Sequence, residues 1–173
     1  LVKDAGIKWL CLGIESGDKS IRLEISKGKF EDVEVGEVIK QIHESGIEVM
    51  ANYIFGLPGD TMETMEKTFN LSLDLCTSGW NAYSAMALPG SKLYKIAIES
   101  NWELPNDYSG YSFHSFDTLP LRNNNLSAKE ILKFRDKSFN KYHTDPGFLG
   151  RVKEKFGNAA IENINDMLKI KLE

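Results

Sequence analysis

The stretch that decides the fold is Ala51–Glu63, ANYIFGLPGDTME. It begins in a run whose side chains alternate with the period of two expected of a strand, and both sets are largely apolar. We therefore expect a strand covered on both faces, as in the parallel sheet of an α/β protein. Gly56–Gly59 then turns the chain, and Asp60 with Glu63 has the spacing of a capped helix start. The strand contains one amide, Asn52, just below a glycine-rich turn, where α/β folds usually bind ligands.

The same strand-turn-helix pattern occurs three times along the chain. The predicted strands are Lys8–Glu15, the one that contains Asn52, and Gly79–Leu88. The predicted helices are Ser20–Ser26, Asp32–Ser45, Thr61–Thr77 and one that ends near Asn101. This alternation predicts a parallel sheet with right-handed crossovers. Three units are too few to close an eight-unit barrel, so they predict an open three-layer sheet or a segment of a larger barrel.

The rest of the chain has a different character. Residues 102–126 form a loop rich in proline, asparagine and aromatic residues, and residues 127–173 read as three helices appended to the α/β part, residues 1–101. Ser127 with Glu130 forms a capping box, and Asp145 precedes a proline at the first helical position.

Bulk properties exclude several classes of function. The 173 residues have a net charge of −4 without a basic stripe, so nucleic acid is not indicated. No apolar run is long enough to span a membrane, and no signal-peptide layout begins the chain, so a cytoplasmic setting is expected. Cys11 and Cys76 are too far apart for a metal motif and fall on apolar faces, which predicts core thiols. The first residues resemble the end of a helix, which suggests a piece of a longer protein.

Polar residues follow the predicted strands where a parallel sheet would bring them to one edge. Glu15, Asn52 and Ser91 are expected to converge there. A carboxylate and an amide suit a ligand rich in amino and hydroxyl groups, and Lys27 could supply the positive charge for a ligand carboxylate. On pattern alone, Glu15 is equally well a salt-bridged strand end, and Lys27 reads more readily as a solvated loop lysine.

Three motifs in register resemble one family. The segments GIESGDKSIRLEISKG (13–28), NYIFGLPGDTMETMEKT (52–68) and LPGSKLY (88–94) look like the second half of the barrel of the radical SAM superfamily. The C-terminal helices are more loosely similar to those of members with an upstream cobalamin-binding domain. Together the two resemblances extend over about positions 5 to 157.

The resemblance implies half of a partial (βα)6 barrel and an activity for the full-length enzyme. That activity is reductive cleavage of S-adenosylmethionine (SAM) by a [4Fe–4S] cluster, which gives a 5′-deoxyadenosyl radical. Matched positions imply that Glu15 and Ser16 contact the ribose or methionine moiety, Lys27 the methionine carboxylate and Asn52 the nucleoside, with Leu88–Ser91 beside the adenine. The cofactor-binding residues implied in this way are Glu15, Ser16, Lys27, Asn52, Gly56, Pro89, Gly90 and Ser91.

The chain departs from the family in one respect, because it has no C-x3-C-x2-C loop to hold the cluster. We therefore expect these residues alone to bind no metal, to contain no catalytic residue and to be inactive. They would supply SAM contacts and part of a small-molecule substrate pocket, together with the missing N-terminal half and, in some members, cobalamin. A half-barrel would also expose a sheet edge through which the chain could self-associate.

Two other interpretations stay open at this point. One is a different TIM-barrel-like small-molecule or phosphate binder that uses the glycine-rich turns. The other is a non-catalytic interaction domain that kept the barrel scaffold and lost the cluster.

Overall fold

The sheet has three parallel strands in the order β1-β2-β3, each followed by helix. The computed structural model describes residues 1–26, 28–29 and 31–170. The α/β part consists of β1 (Trp9–Glu15), α1 (Lys19–Ser26), α2 (Val35–Glu44), β2 (Glu48–Phe55), α3 (Met62–Leu75), β3 (Gly79–Ser84) and α4 (Lys92–Glu99). A 3-10 turn (Tyr108–Tyr111) and the helices α5 (Ala128–His143), α6 (Pro146–Phe156) and α7 (Asn158–Leu168) complete the described chain. The predicted α/β class and the parallel sheet are therefore confirmed, with elements that match the predicted ones to within a few residues.

The two faces of the sheet differ in burial, which corrects the expectation that both are covered. One face, called the closed face here, contains Val49, Ala51, Tyr53 and Phe55 of β2, all fully buried. The other, called the open face, contains the residues Cys11, Gly13, Met50, Asn52, Ile54, Asn81 and Tyr83, all of them exposed or half-buried. The period-two alternation of β2 correctly indicated which residues share a face. It did not indicate which face is covered, because both faces contain apolar residues.

The closed face is covered by α2, α3, α5 and α6, so the C-terminal helices are part of the core. Phe134 of α5 packs edge-on against Phe55, with ring centroids 5.0 Å apart. Tyr142 stacks on Trp80 at 5.0 Å, and its hydroxyl donates a hydrogen bond of 3.0 Å to the carbonyl oxygen of Thr77. The helix caps readable in the sequence give no information about this tertiary packing.

The turn after β2 is held by a buried polar network. Asp60 is 1% exposed and accepts hydrogen bonds from the Leu57 amide at 2.8 Å and from the Thr64 hydroxyl at 2.6 Å. The cap of α3 is therefore Thr61, in a reciprocal box with Thr64, one residue later than predicted. From the 102–126 loop, Asn123 donates to the carbonyl oxygens of Leu57 and Asp60, at 3.0 and 3.1 Å. Side chains on both sides of the turn thus fix its shape.

Candidate functional site

Asn52 lies at the middle of the open face, and its side chain links all three strands. Its amide nitrogen donates to the carbonyl oxygen of Leu12 at 3.2 Å and to the sulfur of Cys11 at 3.0 Å, both in β1. Its oxygen accepts a hydrogen bond of 3.0 Å from the amide nitrogen of Asn81 in β3. A partly buried amide needs hydrogen-bond partners, and Asn52 finds its partners within the sheet.

Glu15 is brought to the same level of the open face by an irregularity at the end of β1. The pairing of β1 with β2 shifts between Gly13 and Glu15, and Glu15 takes the left-handed conformation, with φ of 65°. A side chain at Gly13 would overlap with Oε1 of Glu15, so the carboxylate lies over Gly13. Since Gly13 pairs with Asn52, the carboxylate of Glu15 and the amide of Asn52 occupy neighbouring positions.

Asn81 completes this arrangement, and sequence analysis overlooked it. It pairs with Asn52 in the β2–β3 ladder and lies half-buried on the same face. We call Glu15, Asn52 and Asn81 the polar row. A signal for Asn81 existed in the sequence, because it is an amide inside an otherwise apolar strand, the argument already applied to Asn52.

The carboxylate in the row is half-buried, and this affects its charge. Burial raises the pKa of Glu15 above its ordinary value of 4.5. Glu15 also borders a cavity of about 440 Å³ between β1, α1 and α2, in which Arg22 and Ser26 are the other polar residues. The other residues that line the cavity are aliphatic residues and Gly13.

The polar row does not include the other predicted site residues that the structure describes, which are Ser16, Gly56, Pro89, Gly90 and Ser91. Ser16 is fully buried, and its hydroxyl accepts from the Asp18 amide and contacts the Thr68 hydroxyl at 3.3 Å. Gly56 has φ of 81° and faces α5, where a side chain would come within 2.6 Å of Ile131.

The turn before α4 has a structural use as well. The hydroxyl of Ser91 accepts from the Tyr94 amide at 3.1 Å and caps the helix, while Pro89 and Gly90 are exposed. Lys27 lies outside the described residues. In the described ranges, no cluster of histidine, cysteine or acidic side chains is arranged to hold a metal ion.

Cys11 also differs from expectation. It is exposed on the open face, where it accepts the hydrogen bond from Asn52, rather than buried as a core thiol. Cys76 is half-buried at the end of α3, and burial raises the pKa of its thiol.

The comparison with protein families gives a match that begins at the first residue and includes β1, α1, α2, β2 and most of α3. Residues 1–72 match the radical SAM superfamily. This segment contains Glu15 and Asn52 and ends before β3. The match supports the radical SAM superfamily for this chain and agrees with the motifs read from the sequence.

Two curated relatives align with most of this chain at low identity. The chain is 24% identical over 148 residues to an uncharacterized methyltransferase of Pyrococcus horikoshii, an alignment that includes 86% of this chain and 31% of that protein. It is 22% identical over 135 residues to the heme chaperone HemW of Bacillus subtilis, with 78% of this chain and 35% of that protein aligned. The chain thus spans about a third of the length of the curated relatives it matches.

Among the helices of the described ranges, none has both the length and the hydrophobicity that crossing a bilayer requires.

Proposed function

We propose that this chain is the C-terminal half of the barrel of a radical SAM enzyme and that it contributes SAM contacts from its open sheet face. The observation that supports this most directly is the position of Glu15 and Asn52. Both lie within the segment that matches the superfamily, and they occupy neighbouring positions on the open face of the sheet. A carboxylate accepts hydrogen bonds from hydroxyl or amino groups, and an amide both donates and accepts, so the pair suits a nucleoside that bears an amino acid.

The residues of this chain fit SAM but do not fit the iron–sulfur cluster. A [4Fe–4S] cluster is held by cysteine thiolates, and the chain has two cysteines. Cys11 lies on the open face, whereas Cys76 lies at the end of α3, on the far side of β2. Reductive cleavage of SAM is the chemistry that the cluster would supply, and its thiolates would come from another part of the protein. The role of this chain would be to bind and orient SAM.

Lys27 and the turn before α4 keep the roles that the resemblance implies. Lys27 would pair with the methionine carboxylate, and the Pro89–Ser91 turn would border the adenine. Ser16 would hold the neighbouring Glu15 in place, because hydrogen bonds of Ser16 and Gly17 with the Thr68 hydroxyl join this segment to α3. The substrate would be a small molecule, and the cytoplasm the expected compartment.

The reaction subtype is also a proposal. One relative is described as a methyltransferase, which favours methyl transfer over ring formation and methylthiolation as the first reaction to assay. The use of cobalamin is supported by the resemblance of the C-terminal helices, and adding cobalamin to the assay tests it.

The test uses the natural polypeptide that contains this chain. It is reconstituted anaerobically with iron and sulfide. About four irons per chain are expected, with an EPR signal of the reduced cluster that changes when SAM is added. Glu15→Gln and Asn52→Ala should weaken the SAM-dependent change while leaving the iron content unaltered. An intact fold without a cluster would overturn the proposal and favour the interaction-domain interpretation.

The 173-residue chain alone provides a second test. It should bind no cluster after the same treatment and should release no 5′-deoxyadenosine from SAM in the presence of a strong reductant. Iron retention or SAM cleavage by the isolated chain would contradict the proposed division of roles.

A further inference from the structure

We infer that Asn81 of β3 contacts the adenine of SAM. Asn52 is the positioning residue that holds Asn81 in place for this contact. This inference rests on the proposed function. It also reassigns a role, because sequence analysis gave the nucleoside contact to Asn52. The segment that matches the superfamily ends at residue 72, before β3, so the comparison gives Asn81 no role.

The first step is the hydrogen-bond capacity of Asn52, which is nearly used up. A primary amide has two N–H donors and an oxygen with two lone pairs. Asn52 directs its nitrogen to the Leu12 carbonyl oxygen and the Cys11 sulfur, and its oxygen accepts from Asn81. One lone pair is left for a ligand. Asn52 therefore serves mainly to connect the strands.

The second step is the orientation that this imposes on Asn81. The Leu12 carbonyl can only accept, so the Asn52 nitrogen must point toward β1 and its oxygen toward β3. Asn81 must then present its nitrogen to Asn52, at 3.0 Å. In the described part of the chain this is the one hydrogen bond made by the Asn81 side chain. Its oxygen and its second N–H are thus held in a fixed direction and available.

The third step is the kind of ligand group that the available oxygen and N–H of Asn81 can bind. An asparagine side chain with a donor and an acceptor side by side pairs with a planar group of the same kind, and adenine is a frequent partner through its amino group and an adjacent ring nitrogen. Two residues along β3, Tyr83 lies on the same face and packs against Phe113 of the 102–126 loop, with ring centroids 4.9 Å apart. An aromatic surface beside the amide suits the face of a purine.

The fourth step is the length of the polar row. Neighbouring strands are roughly 5 Å apart, so the row from Glu15 on β1 to Asn81 on β3 spans about 10 Å. A nucleoside laid across the strands would place its sugar hydroxyls over Gly13, within reach of the Glu15 carboxylate, and its base over Asn81. The two ends of the row therefore match the two polar ends of one ligand.

The test measures SAM affinity by calorimetry on the reconstituted natural polypeptide. Asn81→Leu removes the amide at similar size and should raise the Kd for SAM about tenfold, within the range for a lost bidentate base contact. The 7-deaza and 1-deaza analogues of SAM each lack one ring nitrogen beside the amino group. We expect one of the two to bind the wild-type protein about tenfold more weakly than SAM, and Asn81→Leu to bind that analogue and SAM equally.

Two substitutions at Asn52 test the positioning role. Asn52→Asp keeps an oxygen toward Asn81 and should keep the discrimination between SAM and the deaza analogue. Asn52→Ala leaves the Asn81 amide without its support and should lose that discrimination. A purely structural defect would change the Kd for SAM and the Kd for the deaza analogue by the same factor, so the ratio of the two Kd values would stay the same. Asn163→Ala, an exposed amide of α7, is the matched control and should change neither.

The outcomes separate this inference from the proposed function. A wild-type protein that does not bind SAM would overturn both. A wild-type protein that binds SAM, with Asn81→Leu equally tight or with SAM and both analogues bound alike, would overturn the role of Asn81 alone.

Discussion

At the scale of single residues, the position of Glu15 depends on backbone conformation rather than on strand alternation. A non-glycine residue with positive φ is uncommon, and here it brings the carboxylate back over Gly13. The left-handed conformation costs free energy for a residue with a side chain, so its retention beside the polar row is consistent with a functional use.

The half-buried carboxylate of Glu15 makes the stability of the fold depend on pH in a defined direction. Burial raises the pKa of Glu15, so the folded state holds the proton more tightly than the unfolded state and loses stability as pH rises above about 4.5. Glu15→Gln cannot ionise and should be more stable than wild type at pH 7, with a difference that shrinks as pH falls toward 4. Urea denaturation at both pH values measures it. Glu162→Gln, at an exposed position of α7, is the matched control. A difference for Glu15→Gln that does not vary with pH would contradict the prediction.

The residues show which parts of the site the sequence could predict. Glu15 and Asn52 were identified because a polar side chain in or just after an apolar strand needs a partner, either within the protein or in a ligand. Cys11 was assigned to the core because period-two alternation tells which residues share a face but not which face is covered. The carboxylate of Glu15 reached the row through a bulge, and pattern analysis has no signal for that.

At the scale of elements, two glycines of the same turn give a matched comparison. Gly56 and Gly59 both have positive φ, at 81° and 86°. A side chain at Gly56 would come within 2.6 Å of Ile131, whereas one at Gly59 would meet no atom within 4 Å. Gly59→Ala should therefore cost about 1–2 kcal/mol for the left-handed conformation. Gly56→Ala should cost about 2–5 kcal/mol, because overpacking against α5 adds to it.

Thermal and urea denaturation of the two glycine variants test this difference. Equal losses of stability would show that α5 does not pack against the turn as described.

The attachment of α6 to the N-terminal end of the sheet depends on Glu48. Its carboxylate accepts hydrogen bonds from the Ser78 hydroxyl and from Arg151 at 3.1 Å, and Lys155 lies 3.4 Å away. Burial alone would raise the pKa of Glu48, but the hydrogen bonds from Ser78 and Arg151 outweigh it and leave the pKa below its ordinary value of 4.5.

Glu48→Ala should therefore destabilise the fold by about 1–3 kcal/mol at pH 7, the range for hydrogen bonds to a charged group. A lowered pKa means that the stabilisation is present above about pH 4.5 and lost as pH falls further, so the difference from wild type should shrink in acid. Denaturation at pH 7 and at about pH 3 measures it, with Glu154→Ala of α6 as the control. A constant difference would show that the charge of Glu48 is not responsible.

Elements were predicted best where local chemistry defines them. Ser127 with Glu130 caps α5, Asp145 caps α6, and Gly157 ends α6, as the sequence indicated. The predicted cap of α3 was one residue too early. Asp60 accepts hydrogen bonds from Leu57 and Thr64 instead of capping the helix, and residue spacing does not distinguish these two roles.

At the scale of the whole molecule, strand-helix alternation was sufficient to predict the parallel order of the sheet. It could not predict that α5 completes the core, because that contact joins segments about 80 residues apart and depends on side-chain packing. The division into residues 1–101, 102–126 and 127–173 stays a prediction, although α5 and the sheet share one hydrophobic core.

The sheet of the isolated chain ends in two edge strands, β1 and β3, and we expect self-association through β1. The unpaired backbone groups of an edge strand promote pairing with another chain. Sedimentation equilibrium of the 173-residue chain should show association that increases with concentration. Cys11→Lys places a charge on the edge strand and should shift the equilibrium toward monomer, whereas Asn163→Lys on α7 should not. A monodisperse and highly stable wild-type monomer would contradict the prediction.

The exposure of Cys11 has a practical consequence for studying this protein. A thiolate is the nucleophile that attacks a thiol-reactive dye. The other cysteine, Cys76, is half-buried and its thiol has a raised pKa, so it should react slowly. A fluorescent maleimide should therefore attach first to Cys11, whose sulfur touches the amide of Asn52. The 173-residue chain thus provides a preferred labelling position beside the polar row. Protection of that thiol from labelling would report occupancy of the row without any engineered cysteine.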